Sequence, residues 1–264
     1  MPRFNANLTM LFNEVDFLDR FALAAQAGFS GVEYLSPYDY EPEVLASKLQ
    51  EFGLTQVLHN LPAGDWAAGE RGIACHPERV QEFKGGVARA ITYAKALGCP
   101  QVNCLAGIKP EGVSMEEAHK TFISNLAFAA NALRAEGIKL LIEPINTRDI
   151  PGFFLTHTAQ AARIIKEVGS DNLFIQYDVY HMQIMEGDLA PTIEEHLDLI
   201  EHIQLADTPG RHEPGTGEIN YPFLFGFLDR VGYEGWIGCE YKPAGDTQAG
   251  LGWYAPFHIK AAAE

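Results

Sequence analysis

The sequence predicts an α/β protein with a single domain over residues 1–264, a closed (β/α)8 TIM barrel. Three observations carry this expectation. Eight short apolar or β-branched runs alternate with longer amphipathic stretches from one end to the other. Their spacing of roughly 25 to 45 residues suits parallel strands joined by crossover helices. The length, 264 residues, is close to the roughly 250 typical of such a barrel.

In chain order the strands are expected at Phe4–Leu8, Gly31–Leu35, Thr55–His59, Gln101–Leu105, Lys139–Glu143, Leu173–Asp178, His202–Ala206 and Trp236–Glu240. Between them, Asp16–Ala27 places Phe17, Phe21 and Ala24 on one helical face and stops at Gly28, suited to the left-handed residue that ends a helix. Met115–Ala135 and Thr158–Val168 repeat the pattern and stop near Gly137 and Gly169. Thr192–Ile200 follows Pro191, and Tyr221–Val231 ends at Gly232. The longest connection, Asn60–Gly72, follows the third strand. Loops after strands lie on the face where barrels build their sites. A doubly wound sheet is disfavoured, because no G-x-G-x-x-G follows the first strand and no G-x-x-x-x-G-K-[ST] occurs.

Composition excludes several classes. A net charge of −16 argues against a nucleic-acid partner, which needs clustered Lys and Arg on phosphate. It leaves room for a small anionic substrate, since local cations dominate within a Debye length of about 8 Å. No run of about 18 apolar residues occurs, so no membrane partner is expected. The N-terminal residues lack an apolar signal core, and a cytoplasmic location is expected. Cys75, Cys99, Cys104 and Cys239 form no C-x-x-C pair and read as buried apolar residues. The apolar segment Leu251–Phe257 is expected to cover either its own barrel or a second copy in a homo-oligomer.

The last four strands end alike. Glu143 follows Leu-Leu-Ile, Asp178 follows Gln-Tyr, Gln204 lies in His-Ile-Gln-Leu, and Glu240 follows Gly-Cys. Side chains at the C-terminal ends of barrel strands project into the site. Three acids and an amide gathered there would repel unless a cation or protons compensate. A divalent metal on Glu143, Asp178, Gln204 and Glu240 would do so, and oxygen ligands suit Mg²⁺, with Mn²⁺ as the alternative.

Five stretches then carry a resemblance: residues 58–72 (LHNLPAGDWAAGERG), 142–146 (IEPIN), 176–183 (QYDVYHMQ), 213–220 (EPGTGEIN) and 238–243 (GCEYKP). Together they resemble the hydroxypyruvate isomerase family and the neighbouring 2-oxo-tetronate isomerases, within the xylose-isomerase-like barrels. The resemblance covers nearly the whole chain. It implies an aldose–ketose-type isomerisation in which two glutamates, here Glu143 and Glu240, shuttle the proton. Related sugar barrels usually carry His where Gln204 stands; an amide is the weaker ligand, which leaves the metal requirement open.

The implied partner is a small hydroxy-keto acid. Hydroxypyruvate and tartronate semialdehyde (2-hydroxy-3-oxopropanoate) differ by the position of a carbonyl and one C–H proton, so an acid and a base on opposite sides suffice. Arg71, Arg211 and Lys242 are candidate cations for the substrate carboxylate. His59 and His181 are candidates for its hydroxyls, Glu70 beside Arg71 is a further candidate substrate contact, and Trp66, Phe12, Tyr38 and Tyr40 could wall the pocket. The rival readings are a four-carbon 2-oxo-tetronate isomerase, a metal-dependent apurinic endonuclease and a non-catalytic barrel. The endonuclease would need a basic groove and more His and Asp ligands for a multi-metal cluster.

Overall fold

In a computed structural model, which describes residues 2–258, the eight runs form parallel strands. They are β1 (Arg3–Asn7), β2 (Gly31–Glu33), β3 (Thr55–Asn60), β4 (Gln101–Cys104), β5 (Lys139–Ile142), β6 (Leu173–Asp178), β7 (Ile200–Leu205) and β8 (Trp236–Cys239). They close in sequence order, with β8 pairing back onto β1. The principal helices are α1 (Arg20–Gln26), α2 (Pro42–Phe52), α3 (Val80–Leu97), α4 (Met115–Arg134), α5 (Thr158–Val168), α6 (Val179–Met185), α7 (Leu189–Glu195) and α8 (Tyr221–Val231). The closed barrel is the one the sequence predicts.

Period-two alternation decides what fills it. On β4, β6 and β7 the pairs Gln101/Asn103, Gln176/Asp178 and His202/Gln204 share one face, while Val102, Tyr177 and Ile203 take the other. The polar face points inward, because His202 and Gln204 of β7 reach Glu33 of β2 across the lumen, and Asn103 and Gln176 bond neighbouring polar side chains on the same side. Lower down, Leu141 and half-buried Phe174 and Trp236, two residues before inward-facing positions, join Val57 and Leu58 in a small apolar plug. The main hydrophobic core is thus the ring between strands and helices, where Val32, Val102, Ile142, Ile203 and Ile237 are buried against Phe21, Phe83, Leu126 and Leu228.

Boundaries shift by a residue or two at several strand ends, and the expected helix Asp16–Ala27 is a 3₁₀ turn over Phe17–Asp19 followed by α1; the largest difference follows Pro191. The expected helix Thr192–Ile200 ends instead at Glu195, a 3₁₀ turn covers Leu197–Leu199, and Ile200 opens β7. Pro191 lies in the first turn of α7, where a missing N–H costs little. The Ile-x-His-Ile sequence then serves as strand. The apolar segment near the C-terminus covers its own barrel: Phe4 meets Trp253, Tyr254 and Phe257 edge-on or tilted, and Tyr254 stacks on Phe29 at 4.5 Å. All four cysteines are free and buried. No helix among the described residues is long and apolar enough to cross a membrane.

Candidate active site

Three strand ends and one loop build a buried cluster of charge. Asp178 ends β6 and caps α6, its Oδ1 accepting N–H from Tyr180 at 2.7 Å and His181 at 3.3 Å. Its Oδ2 is buried and has no hydrogen-bond partner. His181, in the first turn of α6, sets Nε2 3.5 Å from Asp178 Oδ2 and 3.9 Å from Glu143 Oε1. Glu143 follows β5 directly, and its Oε2 accepts from Asn103 Nδ2 at 2.8 Å. Glu240 follows β8; its Oε1 accepts from Arg211 at 2.7 Å, and its Oε2 from Asn7 Nδ2 at 3.0 Å and Gln204 Nε2 at 2.6 Å.

Arg211 sits among three acids, since the nitrogen bonded to Glu240 is also 3.7 Å from Asp178 and a second nitrogen is 3.8 Å from Asp149. Its backbone is left-handed at φ 56°, a conformation that costs an L residue about 1–2 kcal/mol. The loop after β7 holds it there. Asp207 accepts four N–H groups, from Thr208, Gly215, Gly217 and Ile219, and Lys242 N–H bonds Arg211 O at 2.8 Å.

Burial dominates the proton equilibria. Glu143 is pushed well above the usual carboxylate range by desolvation, then by the charges of Glu240 and Asp178. Glu240 is pushed up to about 8 by burial, with Arg211 pulling the other way and Asp178 and Glu33 adding to the rise. Asp178 is also raised by burial, against Arg211 and its two backbone N–H bonds. His181 is held well below its ordinary value by desolvation and by Arg211, so its ring is neutral. Asn146 N–H and Nδ2 both point at His181 Nδ1, the latter at 2.6 Å, so Nε2 carries the proton and faces the acids.

Among the described residues, Glu143, Asp178 and His181 form a group whose ligand atoms lie within 4.8 Å of one another. The unpartnered Asp178 Oδ2 beside Glu143 suits a hard divalent ion. His181 would join only with its proton moved to Nδ1 and the Asn146 amide turned. The expected quartet is not gathered as one ligand set. Gln204 Oε1 accepts from Gln176 Nε2 at 2.7 Å, and its nitrogen, not its oxygen, faces Glu240.

The remaining expected residues scatter. Asn60 accepts from Asn103 at 3.2 Å, so it faces the lumen, and His59 next to it takes the opposite face. There His59 Nδ1 lies 3.0 Å from Asn60 O and its ring stands edge-on to Tyr38; it touches none of the site acids, and burial lowers its pKa to about 4. Glu70, in the long loop, pairs with Arg79 in the 3₁₀ turn that precedes α3. Arg71 lies over the Trp66 ring at 4.0 Å and donates to two loop carbonyls. Lys242 is exposed. Phe12 is core. Of the three candidate cations, only Arg211 joins the acids.

A cavity of about 710 Å³ opens over the loops after β1, β2 and β3, walled by Tyr38, Tyr40 and Trp66 and reaching Asn60. Glu143 and Glu240 do not line it. The buried charge locates the chemistry, and the cavity adjoins it through Asn60 and Asn103, which reach Glu143, and through Thr9 and Asn7, which reach Glu240. Missed from sequence were Glu33, Asn7, Asn103 and Asp149; for Asn7 and Asn103 the polar i, i+2 pairs Asn5/Asn7 and Gln101/Asn103 were the available signal.

The pattern defining the xylose isomerase-like TIM barrels matches residues 21–257. The chain belongs to that family. Among members of known name, it is 58% identical to hydroxypyruvate isomerase of Escherichia coli strain K12, covering 97% of this chain and 100% of that one. It is 51% identical to 2-oxo-tetronate isomerase of Cupriavidus necator, over 97% and 99% of the two chains. A solved structure described as AP endonuclease, family 2, from Brucella melitensis superposes with a TM-score of 0.95 at 51% identity, over 97% and 99%.

Proposed function

We propose that this family member is a hydroxypyruvate isomerase, interconverting hydroxypyruvate and tartronate semialdehyde through an enediol. The observation that carries the reading is the pair of buried glutamates, Glu143 and Glu240, flanking Asp178 and Arg211. The high identity to the E. coli isomerase supports it. Arg211 Nε is buried and unpartnered, and a guanidinium matches a carboxylate in two-point geometry, so Arg211 is the candidate anchor for the substrate carboxylate.

In this reading Glu240, which Arg211 and two amides favour as the anion, takes the proton from C3 of hydroxypyruvate. Glu143, held toward its acid form, gives a proton to the carbonyl oxygen and yields the enediol. Return of the carbon-bound proton to C2, with transfer of the O3 proton back to Glu143, completes the isomerisation. Asp178 and His181, joined by Glu143 when it is in its carboxylate form, would hold a divalent ion, Mg²⁺ or Mn²⁺, which when bound would stabilise negative charge on the enediol oxygens. The reading includes a cytoplasmic setting, consistent with four free cysteines.

The test is turnover of hydroxypyruvate by wild type, Glu143→Gln and Glu240→Gln, with circular dichroism to verify folding. Each variant should lose about a thousandfold or more in kcat. Wild-type turnover in either folded variant refutes the pairing. A four-carbon 2-oxo-tetronate is the second reading, favoured by the cavity beside Asn60, and side-by-side kcat/KM on the two acids decides between them. For an endonuclease the net charge of −16 is unfavourable, and incubation with abasic DNA should leave it intact.

A further inference from the structure

Beneath Glu240 lies a second carboxylate that the proton shuttle does not use. Glu33 ends β2, is fully buried, and has all its acceptor capacity taken. Its Oε2 accepts from Asn5 Nδ2 at 2.8 Å and lies 2.7 Å from His202 Nε2. Its Oε1 accepts from Asn7 Nδ2 at 3.0 Å and Gln204 Nε2 at 2.7 Å. The last two nitrogens are the same ones that donate to Glu240 Oε2. A primary amide has two N–H bonds, so each of these side chains can give one to each carboxylate.

We propose that Glu33 is a positioning residue for Glu240: from below, it turns the amides of Asn7 and Gln204 so that both present N–H to the Glu240 carboxylate. The opposite ends of the amides agree with this orientation. Asn7 Oδ1 accepts Thr9 N–H at 3.0 Å, and Gln204 Oε1 accepts Gln176 Nε2 at 2.7 Å. Rotating either amide by half a turn would set its oxygen against two carboxylates and leave them short of donors.

The backbone makes room for this arrangement. Gly238, two residues before Glu240, pairs in register with both Asn5 and Gln204. A Cβ added there would overlap Glu33 Oε1 and lie 2.6 Å from its Oε2. The carboxylate therefore lies flat against a strand with no side chain. Burial pushes the Glu33 proton equilibrium up, but His202 and the donors of Gln204 and Asn5 outweigh it and keep the group anionic. Gln204 consequently acts as a donor to both acids.

The inference rests on the reading of Glu240 as half of the proton-transfer pair, and the experiment separates the two. Steady-state kinetics on hydroxypyruvate are measured for E33Q, Q204M, E33Q/Q204M and E240Q. E33Q should lower kcat roughly ten- to a hundredfold, as slight misplacement of a reacting group does, with KM changed less than about twofold. In the Q204M background the E33Q loss should shrink severalfold, because one of the two amides it orients is gone. Wild-type kcat in E33Q, or losses that simply multiply in the double variant, overturns the proposal. Should E33Q fail to fold, N7S and Q204M carry the test: each removes one bridging donor, and kcat should fall at constant KM. Wild-type kcat in both overturns it equally. If E240Q turns over normally, the proton-transfer reading fails; if E240Q is dead while E33Q is normal, only the role of Glu33 fails.

Discussion

Replacing Arg211 with Met removes the one cation that the described residues place inside the acid cluster. The Arg211 and Glu240 side chains are only 15% and 6% exposed, so solvent screens the pair weakly. At an effective dielectric near 20, a unit charge pair about 4 Å apart is worth about 4 kcal/mol, and Arg211 stands 2.7 Å from Glu240 and 3.7 Å from Asp178. The full sum is not lost, because the stranded acids can take up protons. Breaking such a buried pair typically costs about 3–5 kcal/mol, on the order of 10 °C in melting temperature for a chain of this size. The cost depends on pH with a definite sign. Without Arg211, the folded-state pKa values of Glu240 and Asp178 rise further above their unfolded values, so the folded chain binds more protons than the unfolded one. Stability then falls as pH rises through that interval. Melts at pH 5.5 and 8 should show the larger Arg211→Met deficit at pH 8, and kcat/KM for hydroxypyruvate should drop about a hundredfold or more. Equal deficits at both pH values, with kcat/KM within about threefold of wild type, would refute the placement of Arg211 at the centre of the cluster.

Further tests address the acids, the metal and the loop. Glu240 has a folded value of about 8 against an ordinary 4.5, so the chelator-treated chain should lose stability between those pH values, by up to about 1.4 kcal/mol per pH unit. A melting temperature that stays flat from pH 5.5 to 8 contradicts it. Asp178→Asn should weaken Mn²⁺ binding, read by calorimetry, by about tenfold or more; unchanged affinity removes Asp178 from the proposed ligands. Gly217→Ala would drive a Cβ into Thr208 O and to 2.7 Å from Asp207 Oδ1, displacing the loop that holds Arg211. A loss of about 1–3 kcal/mol, with lower activity, is expected by denaturant titration; wild-type values would show that the loop yields freely.

The strands were readable because each is an apolar run bounded by turn residues, and all eight occur close to their expected positions. Helices α2, α3 and α6 were passed over; α3 carries Gly85 and Gly86 in its interior, which weakens its local signal, and α6 is only seven residues long. Strand-end position singled out Glu143, Asp178 and Glu240 as candidates but misplaced His59. At the end of β3 the lumen side belongs to Asn60, a parity visible only once pairing with Asn103 is known. Glu33 escaped notice because β2 is three residues long and one acid in a short run has no pattern. The orientation of the Gln204 amide was beyond reach, since it depends on three side chains distant in sequence, Glu33, Gln176 and Glu240. Arg211 was picked out as one of three cations, and only the folded loop distinguishes it from Arg71 and Lys242.

The aromatic clasp between Phe4 and Trp253, Tyr254 and Phe257 bears on how the chain reaches this state. It covers the seam where the first strand meets the last, so the contacts that finish the ring join residues about as far apart in sequence as the molecule allows. Loop-closure entropy must be overcome before those contacts contribute, which slows the final step of folding. During synthesis β1 waits with one edge unpaired until β8 and the aromatic segment have emerged, and the growing polypeptide is most open to mispairing during that interval.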